Sequence, residues 1–189
     1  MLAHHQGGFL NTAQFARNLG VDAKTAGAYL DLFVDLLLVR RLPPWYANLS
    51  KRLVKSPKVY VRDSGLVHAL LNISDKETLL SHPIVGQSLE CFVTENLLAC
   101  AANKVQGYFY RTGGGAEIDL LLSWPDGGLW AIEIKRSLSL KLGRGFHAAC
   151  TDLAPARKFV VYPGGERYRL ATDIEAISLE ELAAKLIAA

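Results

Sequence analysis

Asp119, Glu133 and Lys135 are the residues whose types and spacing can do chemistry. Two carboxylates on neighbouring strands, completed by water, form the oxygen set that a hard cation such as Mg²⁺ or Mn²⁺ accepts. Lys135 follows Glu133 by two residues, so a strand would put both on one face. Its ammonium can orient an attacking water and offset charge that develops on a phosphorus centre. Glu90 is a candidate third carboxylate, and Glu95, five residues on, points elsewhere on the same helix. Arg111 can clamp a phosphate through two parallel hydrogen bonds. Gly113, Gly114 and Gly115 either let backbone approach a ligand closely or form a loose turn. Arg136, Lys141 and Arg144 make the approach basic. An ordinary strand with one wet face has the same alternation, so setting has to separate the two readings.

The elements that must position these residues alternate helix and strand. Residues 64–71 read as a short helix and residues 89–102 as a longer one, with Leu89, Phe92, Val93, Leu97 and Leu98 on its apolar face. Strands are expected over 107–111, 116–122 and 129–135. The last two are separated by Ser-Trp-Pro-Asp-Gly-Gly, a turn composition. A helix over 143–153, a strand over 158–162 and a terminal helix over 177–188 complete an α/β sandwich around a mixed sheet.

The segment before residue 64 has a different pattern. Asn11 and Thr12 are N-cap types before a helix over 13–19, and Gly20 is a stop. Asp22 can cap a second helix over 23–38. Val39-Arg-Arg-Leu-Pro-Pro breaks it, a loop runs to about Lys55, and residues 58–62 read as a strand. Helix, turn, helix and β-ribbon together outline a winged helix. Arg40, Arg41, Lys51, Arg52, Lys55 and Lys58 make the ribbon basic, with no acid between Asp35 and Asp63. Such a wing can lie along a phosphate backbone, stay solvated, or dock on an acidic protein. Asp22, Asp31 and Asp35 on the second helix oppose a phosphate partner. The expected division is therefore 1–63, a winged-helix segment, and 64–189, the domain that carries the carboxylates.

Composition sets the outer limits. The chain has 189 residues, 50% hydrophobic and 21% charged, with a net charge of +3. These values exclude a disordered, collagen-like or coiled-coil chain, and the charge permits a nucleic-acid partner without requiring one. Cys91, Cys100 and Cys150 lack C-x-x-C spacing and read as buried thiols of a reducing cytoplasm. No signal peptide is visible, and the most apolar stretch, 29–39, is too short to span a bilayer. The P-loop pattern is missing, so the sequence carries no ATP site of that type. The five histidines show no H-x-x-x-H pair. His147, on the helix after the carboxylates, is a remote candidate.

Asp119, then Glu133-Ile-Lys135, preceded by a helix with Glu90 and followed by another helix, resembles the PD-(D/E)XK nuclease superfamily. Further stretches are similar to the C-terminal half of uncharacterised prokaryotic AAA-type ATP-binding proteins: 55–66, 86–93, Tyr110-Arg-Thr, Glu117-Ile-Asp-Leu and Ile132-Glu-Ile-Lys. The resemblance implies a restriction-endonuclease-like αβββαβ core preceded by a winged helix. It implies Asp119 and Glu133 as metal ligands with Glu90 as the helix carboxylate, Lys135 as the catalytic lysine, and Mg²⁺ or Mn²⁺ as cofactor. Ile118 stands where the superfamily name has proline. Two functions follow as expectations. One is a metal-dependent nuclease guided onto DNA by its winged helix. The other is a non-catalytic DNA- or protein-binding module that serves an ATPase partner.

Overall fold

The computed structural model describes residues 1–46 and 52–189. Two units cluster separately: Met1–Leu42 with Ser56–Phe92, and Pro43–Lys55 with Val93–Ala189.

In the first unit a 3-10 turn, Ala3–His5, precedes strand β1 (Gly8–Phe9), helix α1 (Thr12–Leu19) and helix α2 (Ala23–Asp35). Asn11 Oδ1 accepts the Gln14 N–H, and Gly20, at φ +68°, closes α1 in the left-handed conformation. Asp22 caps α2 by accepting from the Thr25 N–H at 2.9 Å and the Thr25 hydroxyl at 2.6 Å. α2 ends at Asp35, three residues before the expected Leu38. Leu37 takes φ +59°, and the N–H groups of Leu37 and Leu38 return to Val34 O and Phe33 O. This is a Schellman stop with leucine at the position where glycine is usual, which is why no sequence signal marks it.

Val39–Leu42, where the helix was expected to break, is strand β2, and Lys58–Val61 is β3. The sheet order is β1-β3-β2, all antiparallel. The Gln6 side chain continues this ladder beyond β1. Its Nε2 donates to Val61 O at 2.9 Å, and its Oε1 accepts the Val61 N–H at 2.8 Å. Helices α3 (Ser64–Leu70) and α4 (Lys76–Ser81) follow, capped by Asp63 and Asp75. Ala3, Val61, Val67, Ile73 and Ile84 form one core cluster of this unit, and Leu30, Val39 and Val59 another. The unit boundary falls within α5 (Val85–Ala101), after Phe92.

The second unit is built on a six-stranded mixed sheet, in the order β4-β5-β6-β7-β9-β8. The strands are β4 (Gln106–Arg111), β5 (Glu117–Ser123), β6 (Leu129–Ile134), β7 (Arg157–Val161), β8 (Tyr168–Ala171) and β9 (Ile174–Ile177). β4, β5 and β6 pair antiparallel, β6–β7 and β7–β9 parallel, and β8–β9 antiparallel. Helix α6 (Arg144–Leu153) makes the crossover from β6 to β7. Its Phe146, Ala149 and Cys150 pack with Ile118, Leu121, Ala131 and Val160 of the sheet.

Residues 43–45 and 53–54 lie along the outer edge of β4. Trp45 N–H donates to Phe109 O, Phe109 N–H to Pro43 O, and Val54 N–H to Arg111 O. An open strand edge is a template for unwanted pairing, and these residues occupy it. The hairpin β8–β9 was not expected, and Ile177 ends β9 rather than opening a helix. Helix α7 (Leu179–Ala188) starts two residues later, where Ser178 Oγ accepts the Glu181 N–H. Among the described residues no helix is long and apolar enough to cross a membrane.

Candidate active site at the opening of β5 and β6

The β5–β6 ladder pairs Ser123 with Leu129, Leu122 with Trp130, Leu121 with Ala131 and Leu120 with Ile132. One step further the same register would bring Asp119 opposite Glu133. The backbone ladder stops at Leu120 and Ile132. Past it the Ile134 N–H donates to Asp119 Oδ2 at 2.9 Å. A side chain thus takes the place of a strand carbonyl, and β6 continues on its other edge, where Lys135 N–H donates to Val161 O.

Glu133 is buried, its side chain 10% exposed, and its Oε1 accepts from Lys135 Nζ at 2.6 Å. Burial alone would lower the Lys135 pKa. The hydrogen bond and charge of Glu133 outweigh it, the charges of Asp119 and Glu117 add to them, and the ammonium is held above its ordinary value. Asp119, Glu133 and Lys135 therefore come together, as their spacing predicts. Glu117, absent from the candidate residues above, belongs with them. It pairs with Arg111, its register partner on β4, at 3.1 Å. Two signals could have found it: the two-residue spacing from Asp119, and an arginine at the end of the preceding strand.

The backbone around this corner is tight. Gly113 N–H donates to Arg52 O, and Thr112 Oγ1 accepts the Ala116 N–H. Gly145, in the first turn of α6, lies so close to the loop before β5 that a Cβ would sit 2.5 Å from Gly115 O. In the glycine loop itself Gly115 takes φ +86°, whereas a Cβ on Gly113 or Gly114 would meet nothing closer than 3.6 Å, so the loop is a turn and the close approach is made at Gly145.

The remaining candidates are dispersed. Glu90 lies in the first unit, where its Oε1 accepts from Lys58 Nζ at 2.7 Å and from the Tyr60 hydroxyl at 2.6 Å. Lys58 is 4% exposed, so it is an internal counter-ion rather than a charge of the basic surface. Arg41 pairs with Asp31 of α2 at 2.6 Å, and Arg40 lies beside it on β2. Arg52, Lys55, Arg136, Lys141, Arg144 and His147 are exposed in the second unit. Lys51 lies outside the described residues. The Cys150 thiol is pushed up to about 11, by burial first and then by the charges of Asp173 and Glu133 against the opposing effect of Lys158. It stays protonated and unreactive near neutral pH.

Among the described residues no group of three or more His, Cys, Asp or Glu side chains is gathered to hold a metal ion. The Asp119–Glu133 pair is a smaller, all-oxygen set. It suits a cation such as Mg²⁺, which takes one or two protein carboxylates and fills its other positions with water and phosphate.

Residues 85–182, just over half of the chain, match a domain of unknown function, DUF4143. The chain belongs to the DUF4143 family. The DUF4143 stretch contains all six strands of the mixed sheet together with Arg111, Glu117, Asp119, Glu133 and Lys135, while residues 1–77 match a second domain of unknown function, DUF8612. This DUF4143 chain is 41% identical over 182 residues to the uncharacterized protein Mb2031c of Mycobacterium bovis. It is equally similar to the uncharacterized protein Rv2008c of Mycobacterium tuberculosis. Each match covers 96% of this chain and 41% of the relative, so the chain spans about two-fifths of the length of these curated relatives. No solved structure matches it.

Proposed function

We propose that this protein is a nuclease-like module in which Asp119 and Glu133 hold Mg²⁺ or Mn²⁺ and Lys135 acts beside them on a DNA phosphodiester. In this reading the mixed sheet with α6 is a restriction-endonuclease-like core, and α1, α2 and the β2–β3 pair are a winged helix that brings DNA to it. The observation that carries the reading is the opening between β5 and β6. There the ladder ends, the Asp119 carboxylate holds the Ile134 amide, and Glu133, the residue before Ile134, is buried with the Lys135 ammonium on its carboxylate.

A bound cation would supply Lewis-acid polarisation of the phosphodiester and acidify a water. Asp119 and Glu133 would hold it, and the Ile134 hydrogen bond fixes the Asp119 carboxylate in place beforehand. Lys135 keeps a positive charge where negative charge would build on the phosphate oxygens. The exposed Arg136, Lys141 and Arg144 offer phosphate contacts along the approach. The three free cysteines suit a reducing cytoplasm.

A second reading is a non-catalytic DNA- or protein-binding module that partners an ATPase. What favours it is that Lys135 already neutralises Glu133 and Arg111 already pairs with Glu117, as structural charges would. The relatives, more than twice as long as the matched region, leave room for an attached ATPase domain.

Calorimetric Mn²⁺ titration of wild type and Asp119→Asn, followed by DNA cleavage in the same samples, separates the two. The nuclease reading expects wild type to bind the ion and cut single- or double-stranded DNA, and the variant to do neither. Metal binding lost without any cleavage by wild type leaves the module reading. Equal cleavage by both proteins would falsify the assignment of Asp119.

A further inference from the structure

The cation reading raises a conflict at Glu133. Its Oε1 already accepts from Lys135 Nζ at 2.6 Å, and a cation on that carboxylate would meet a competing positive charge there. Released from Glu133, Lys135 needs another counter-ion close by, or it repels the incoming ion.

Glu117 supplies one. Arg111 and Glu117 are partners across β4 and β5. Past the last β5–β6 pair the Asp119 carboxylate accepts the Ile134 N–H. Glu117 lies two residues before Asp119, on the same face of β5, and Lys135 directly follows Ile134. That hydrogen bond therefore brings Glu117, with its partner Arg111, to the neighbourhood of the Lys135 ammonium, and opposite charges so placed attract. The Glu117 side chain is 31% exposed and so is that of Lys135, which leaves both side chains room to move.

We infer that Glu117 is a positioning residue, the second seat of Lys135: when a cation engages Glu133, the ammonium passes to Glu117 and remains beside the Asp119–Glu133 pair. This rests on the cation reading of that pair. Glu117 then governs cation affinity through Lys135 and not as a ligand. Its charge already acts on the ammonium, in support of the geometry.

The test is a double-mutant cycle read by Mn²⁺ calorimetry on the full chain. Glu117→Gln is expected to weaken Mn²⁺ binding about tenfold in wild type, within the range of coupling between neighbouring residues. In the Lys135→Met background the same change is expected to cost at most about threefold, the residue of a direct charge effect. Glu117→Asp restores part of the affinity. Equal losses in the two backgrounds overturn the inference, because Glu117 then acts without Lys135. If wild type takes up no Mn²⁺, the cation reading falls by itself, and a metal-free cycle decides on Glu117. In Glu133→Gln protein, where Lys135 has lost its first seat, Glu117→Gln and Lys135→Met must shift the denaturant midpoint non-additively. Additive shifts overturn the inference.

Discussion

Asp119 Oδ2 accepts the Ile134 amide at 2.9 Å, one residue beyond the last backbone pair of β5 and β6. The carboxylate is thus part of the sheet as well as part of the proposed site, and the two roles respond to different substitutions. Asp119→Ala leaves the amide without its acceptor and is expected to cost about 1–3 kcal/mol of stability. Asp119→Asn keeps an acceptor oxygen and should unfold close to wild type, while losing the charge that holds a cation. Denaturant unfolding beside Mn²⁺ calorimetry checks both, and an Asn variant as unstable as Ala would count against the hydrogen bond.

Lys58 and Glu90 meet in the interior of the first unit, with the Tyr60 hydroxyl on the same carboxylate oxygen. Removing one member of such a pair strands the other charge. Lys58→Met is expected to destabilise by about 3–5 kcal/mol. Adding Glu90→Gln, which removes the stranded charge and keeps an acceptor for Tyr60, should recover more than half of that loss. A double variant no better than the single one would show that packing of the Lys58 stem, not its charge, is what matters.

Glycine at 145 is demanded by the contact of α6 with the loop before β5. A methyl group there would lie 2.5 Å from Gly115 O, which is backbone and cannot turn aside. Gly145→Ala should lower stability by about 1–3 kcal/mol through overpacking, against a helix-propensity gain of about 1 kcal/mol. Gly143, the N-cap of the same helix, makes no side-chain cap and has open room. Gly143→Ser should therefore be neutral or gain a few tenths of a kcal/mol, roughly the usual Gly-to-Ser difference at this position. Thermal unfolding of the two variants provides the contrast.

Acid sensitivity should come in part from helix caps. Asp22 is held below its ordinary value of 3.8 by the Thr25 hydroxyl and then the Thr25 amide, and Asp75 by the Thr78 amide and then the Thr78 hydroxyl. A carboxyl whose pKa is lower in the folded state stabilises fully above its unfolded value. It loses that contribution as pH falls through the folded one. Stability is thus expected to decline as pH drops below about 3.8. Replacing both residues by Asn, itself a good cap, should flatten that limb while leaving stability near pH 7 little changed. Denaturant midpoints measured from pH 7 down to about 2 read the slope.

Periodicity and capping explain what could be read from the residues alone. Asp22 before Ala23 and Asn11 before Thr12 start their helices through side-chain acceptors, a local chemistry that sequence displays. Two-residue alternation likewise put Glu133 and Lys135 on one face and Ile132 on the other. What depended on a distant partner stayed hidden. Lys58 has the look of a surface charge until β3 turns it toward Glu90, 32 residues away. Leu37 gives no hint of a left-handed stop, since its conformation is imposed by the turn from α2 into β2. Glu117 was one of many acids until the β4–β5 register set it against Arg111, two residues before Asp119.

The charges gathered around Asp119 also bear on what the proposed site would attract. Asp119, Glu133 and Glu117 oppose Arg111 and Lys135, so the five side chains together carry a single surplus negative charge. If a divalent ion binds there as proposed, that sum turns positive, and the corner would join the exposed Arg136, Lys141 and Arg144 in attracting a phosphate.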